Sequence, residues 1–209
     1  MLFNIILVAH ILSGSVGLLL GTIILLRKKG DPIHKLTGKI FTLAMVSTGL
    51  CAFYLSYVHP NLFLFIVGVF TIYLSISGSR LIRLKKVHLG QKPQLFDTIL
   101  SSVMFLCSLI FFYIAVKYFM AKEVFGLVFA LFGIVSLRLC YSDYTAYTGK
   151  ITDKHFGLKN HIGRMTGAYI AAFTAFLVVN NTFLPPVLAW SLPGIIGGIF
   201  INRMIRKFK

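Results

Sequence analysis

Acidic side chains are nearly missing from this 209-residue chain: Asp31, Asp97, Glu123, Asp143 and Asp153 are all it has. None falls in the middle of an apolar run, so a proton or cation relay built on carboxylates has little to work with, and the ion-coupled transporter class recedes. Cysteine is scarce as well. Cys51, Cys107 and Cys140 lie far apart and form no CxxC pair, which removes thiolate metal sites and redox pairs and leaves three small apolar packing residues. No HExxH or other zinc pattern occurs, and no nucleophile stands at a telling distance from a base. Thr148-Gly149-Lys150 ends like a phosphate-binding loop, but Tyr144 occupies the position where that loop needs glycine.

What the chain has in quantity is apolar length. Hydrophobic residues make up 57% and mean hydropathy is +0.87, too apolar for a domain with a water-facing surface. Apolar runs recur at about Leu2 to Leu26, Gly38 to Val58, Leu62 to Leu84, Thr98 to Phe119, Val124 to Leu139, Met165 to Phe183 and Val187 to Ile201. At about 1.5 Å per helical residue, most of these approach or exceed a hydrocarbon core of roughly 30 Å, and the fifth, of about 16 residues, is near the lower limit for a span. The expected fold is an all-α polytopic bundle of seven spans forming one transmembrane domain over residues 1–209. The first run has no cation before it and Arg27-Lys28-Lys29 directly after it, the order of a retained span and not of a signal peptide.

The net charge of +16 would suggest nucleic acid in a soluble protein. Here the cations sit in the gaps between apolar runs, which is the pattern of membrane topology, and no nucleic-acid partner is expected. With the N-terminus outside and the C-terminus cytosolic, every one of the 21 Lys and Arg residues except Lys117 and Lys122 falls on the cytosolic side. That count includes Lys85 and Lys209.

Polar residues inside or beside the spans are the candidate functional groups. His10 lies about 12 Å inside the first span. A histidine there is costly unless paired, so it is expected either to bond a serine or carbonyl of the next helix or to serve as a ligand. It neighbours a stripe of small residues, Ala9, Ser13, Gly17 and Gly21, that reads as a helix-packing seam. In the third span Thr71, Tyr73, Ser75, Ser77 and Ser79 alternate, so they cannot share one helical face, and some are expected to bond back to their own backbone. Two span starts resemble each other, Lys35-Leu36-Thr37-Gly38 and Arg164-Met165-Thr166-Gly167, preceded by His34 and His161. Both are expected on the cytosolic side, where helix N-termini favour an anion and Lys35 and Arg164 would flank it; the plainer alternative is that they anchor the helix ends. The segment from Tyr141 to Asn160 reads as a long cytosolic loop, and its Asp143 and His155 are candidate ligand-binding residues.

The segment HIGRMTGAYIAAFTAFLVVN at His161 to Asn180, with the His10 span and PIHKLTGK at Pro32 to Lys39, resembles a family of uncharacterised bacterial multi-pass membrane proteins classed as a domain of unknown function. The resemblance implies a helical bundle in the bacterial cytoplasmic membrane, with lipid as its surroundings, and brings no activity with it. More loosely, histidines next to basic residues at helix starts resemble haem-binding b-type membrane cytochromes. That likeness implies His34 and His161 as axial ligands of a haem b iron. His10 finds no such partner, because His59 sits in the outer hairpin. Three functions stay open: a haem-binding or electron-transfer protein, a carrier or binder of a small anionic or apolar molecule, and a membrane assembly partner that does no chemistry.

Overall fold

The computed structural model describes residues 1–84 and 86–208, so Lys85 and Lys209 lie outside the described residues. Seven long helices follow in order: α1 (Leu2–Leu26), α2 (Pro32–Val58), α3 (Leu62–Leu81), α4 (Leu95–Met120), α5 (Gly126–Tyr147), α6 (Phe156–Val179) and α7 (Pro186–Ile205). No strand occurs among the described residues. Each helix is long and apolar enough to cross a membrane, and together they form a multi-pass integral membrane bundle.

Local chemistry sets the helix starts. Asp31 caps α2 by accepting the backbone N–H of His34 at 2.6 Å, and Pro32 takes the first helical position, where its missing N–H costs nothing. Its carboxyl is held below the usual Asp range, first by that backbone N–H and then by Arg27. Asn61 caps α3 through the N–H of Leu64, and Gln94 and Asp97 form a reciprocal capping box on α4.

Helix α1 packs along α2, α2 along α3, α3 along α6 and α6 along α7, while α1 also touches α6. Helices α4 and α5 pack chiefly on each other. The small-residue stripe of α1 is a packing seam in its second half: Gly17 and Gly21 are buried, against Met45 and against Phe41 and Tyr169. Helices α3 and α6 approach most closely at their cation-rich ends. There a side chain on Gly157 would come within 2.7 Å of the Leu81 carbonyl, and one on Gly78 within 2.9 Å of Arg164 Cβ. The opposite end is filled by rings, Phe63 lying against Phe125, Phe129, Phe132 and Trp190.

Two expectations need correction. Residues 141–160 are not one long loop: α5 runs on to Tyr147 and α6 starts at Phe156, nine residues ahead of the apolar run that marked it. Asp143 and Arg164 in these turns are buried against other helices, so hydropathy ended both spans too soon. Asp143 is therefore a residue inside a bundle helix, and a carboxylate does sit within the apolar part of the molecule.

Candidate functional site

Arg164, the ninth residue of α6, is 1% exposed and is the largest of the fully buried side chains. At about 1.5 Å per residue it lies roughly 12 Å along α6 from its first residue. Its guanidinium meets Asp143 of α5 end-on, Nη2 donating to Oδ1 at 2.5 Å and Nη1 to Oδ2 at 3.1 Å. Nη1 also donates to the Tyr73 hydroxyl at 2.9 Å, and Nη2 to the Leu139 carbonyl at 3.2 Å. The Asp143 carboxylate, 0% exposed, further accepts the hydroxyls of Tyr73 and Ser101, both at 2.6 Å. Side chains from α3, α4, α5 and α6 thus meet at one ion pair. Within this ring of donors and acceptors only Arg164 Nε is left without a partner.

Such an arrangement neutralises both charges locally, which is what an ion pair away from water requires. It also overturns two expectations. Arg164 is neither a snorkelling anchor nor part of a cationic mouth, because its hydrogen bonds go inward to Asp143. The likeness between Lys35-Gly38 and Arg164-Gly167 does not correspond to equal depth: Lys35 is the fourth residue of α2 and exposed, whereas Arg164 is more than two turns inside α6 and buried.

The second constellation lies one turn nearer the cation-rich end. His161 shares a face of α6 with Arg164, three residues on. Its Nδ1 is 2.8 Å from the Gly78 carbonyl, one of the last four carbonyls of α3, which lack partners within the helix. A carbonyl can only accept, so Nδ1 carries the proton and Nε2 keeps a lone pair. His34, the third residue of α2, is half-buried, and its Nδ1 has no hydrogen-bond partner. No hydrogen bond joins it to His161 among the described residues. His10 is elsewhere, between α1 and α2, its Nδ1 3.0 Å from the Thr48 carbonyl in a small network with Ser13 and Thr48. That is the paired imidazole expected of a histidine at this depth.

His155 is also separate, standing just before α6 with its ring 6.3 Å from that of Phe208. Its neighbour Asp153 pairs with Lys159 at 2.6 Å; burial works to raise the Asp153 carboxyl, and Lys159 and the His155 N–H outweigh it, holding it below the usual range. A second Arg–Asp pair joins α3 to α4, Arg80 with Asp97, supported by Gln94 at 2.6 Å. Among the described residues no group of three or more His, Cys, Asp or Glu side chains could hold a metal ion, so a metal here would need a donor set of two histidines. Sequence reasoning missed Tyr73, Ser101 and Asp97 as members of buried networks. The signal that could have found them is the scarcity of acids itself, since each acid near a span should be matched to a cation. Comparison with known proteins returned nothing: no family model matches the chain, and no curated protein and no solved structure is significantly similar to it.

Proposed function

We propose that this membrane protein binds haem iron through His34 and His161 at its cation-rich end and serves electron transfer. The supporting observations are two: the His161 Nδ1–H is committed to the Gly78 carbonyl, which leaves Nε2 free, and His34 Nδ1, near the start of α2, is buried without a partner. Histidines that ligate metals commonly donate their other ring N–H to a carbonyl or carboxylate, which fixes the tautomer and the ring plane. The two imidazoles would be the residues that hold the iron of a bound haem. When bound, haem would supply one-electron chemistry between its ferric and ferrous states. The chain's own part is to present the two imidazoles on α2 and α6 and to keep His161 in one tautomer.

An anion carrier has less support, since Arg164 spends its charge on Asp143 and Lys35 stands apart and exposed. The all-helical bundle and the one-sided cations suit a bacterial cytoplasmic membrane with this site facing the cytosol. The test is an absorption spectrum of the full-length protein purified after expression with ample haem. A Soret band that disappears in His34→Ala and in His161→Ala is the expected result. No band, and none gained on titration with haem, overturns the proposal.

A further inference from the structure

We propose that α4 and α5 form an arm that docks on the α1–α2–α3–α6 body and leaves it as a unit, and that α6 carries its docking state to His161. Within the arm the two helices touch along a seam of small residues. A side chain on Gly126 would meet Phe119 and the Ala115 carbonyl, one on Gly133 would meet Phe112, and Cys140 Sγ lies 3.6 Å from the Ser101 carbonyl. Backbones that close separate with difficulty.

Between arm and body the contacts are of another kind. Close backbone approaches are few, and long side chains span the gap. Rings of α3, Phe63 and Phe70, meet Phe129 and Phe132 of α5. The charged links have one direction: the body supplies Arg80 and Arg164, and the arm supplies Asp97 and Asp143. Two of the five acids in the chain are used on this one boundary. Docking is also incomplete at its centre, where Arg164 Nε is buried without a partner. A buried donor without a partner costs free energy in the docked state, so this join is less firm than the seam within the arm. Arg164 reaches the arm while His161, on the same face of α6, reaches Gly78 of α3. Release of Arg164 frees α6 to turn, and the His161 to Gly78 bond is the first contact to feel it.

The coupling to His161 rests on that residue's place in the proposed site, whereas undocking does not, so the test uses haem-free protein. Hydrogen exchange is followed in the full chain in lipid nanodiscs, for the wild type and Asp97→Asn, alongside the histidine ring 15N spectrum. Asparagine keeps an oxygen for the α4 cap and loses the charge that holds Arg80. Loss of one charge-assisted link should speed exchange of α4 and α5 together by about tenfold and leave α1 and α2 unchanged, with a shift of the His161 ring signal. If Asp97→Asn does not fold, Arg80→Gln makes the same break and leaves the cap whole. Faster exchange confined to the first turn of α4, or spread evenly over all seven helices, overturns the arm. An unmoved His161 signal with a faster arm overturns the coupling. Since no haem is present, none of these outcomes bears on whether haem binds.

Discussion

The protein contains two Arg–Asp pairs across helix boundaries, and they differ in depth. In Arg164–Asp143 the side chains are 1% and 0% exposed, while in Arg80–Asp97 they are 22% and 5% exposed. The deeper pair has recruited a hydroxyl from each of α3 and α4 and a backbone carbonyl, because no water is there to take the remaining donors and lone pairs. The shallower pair makes do with Gln94 and the start of α4. Depth therefore changes what an ion pair is for. Near the end of the bundle it is a fastening whose loss is tolerable, and in the interior each charge is the condition for burying the other.

Removing Asp143 is the strongest way to break this contrast. Asp143→Ala strands a buried guanidinium and is expected to cost about 3–5 kcal/mol, read as lost folded yield and early thermal unfolding in detergent. Arg164→Met combined with Asp143→Leu should recover most of that loss, since no charge is left unpaired. A single variant no worse than the double one would show that the interior tolerates a lone charge. Next comes Gly78→Ala, which pushes a methyl group against Arg164 Cβ and Met165. Thermal unfolding should register about 1–3 kcal/mol of strain, and the His161 to Gly78 bond should weaken with it.

Asp97→Ala is expected to be milder, about 1–2 kcal/mol after allowance for partial solvent screening, and to shrink as salt is added. Salt should leave the cost of Asp143→Ala unchanged, so titrating both variants with salt compares the two pairs directly. The smallest effect concerns Asp31. Its carboxyl is held low in the folded protein, so its capping contribution is present above the ordinary Asp range and is lost as pH falls through the lowered value. Amides in the first turn of α2 should lose exchange protection only in acid, and Asp31→Ala should abolish that dependence.

The seven helices were legible because length and hydropathy suffice to find a span. For α1 the sequence bounds and the observed helix coincide at Leu2–Leu26. The boundaries of α5 and α6 were not legible, since Tyr141 to Tyr147 and Phe156 to Arg164 mix polar and apolar residues that face different neighbours. Hydropathy averages over faces and so reads a polar side chain turned toward another helix as a loop. The site was half legible. His34 and His161 stood out as histidines at span starts, and each stands within the first two turns of its helix. The partnership of Arg164 with Asp143 was hidden, because it joins residues on separate helices through a contact no local pattern encodes. His10 followed ordinary expectation, its imidazole tied to a carbonyl of the next helix. The alternating hydroxyls of α3 did so in part: Ser77 and Ser79 bond back to their own helix, while Tyr73 was drawn into the ion pair.

The Arg164–Asp143 pair also bears on how the chain enters the bilayer during synthesis. Helices α5 and α6 each have a mean hydropathy of 1.5, against 2.5 for α4. A lone arginine near the middle of a span adds about 2.5–3.5 kcal/mol to the cost of partitioning from the translocon, and an aspartate on its neighbour adds a similar amount. Because α5 emerges first and only residues 148–155 separate it from α6, the two can leave the translocon as a neutralised hairpin and avoid paying both penalties separately. The pair that organises the finished bundle would then act earlier, as the device that lets two weakly apolar helices reach the lipid together.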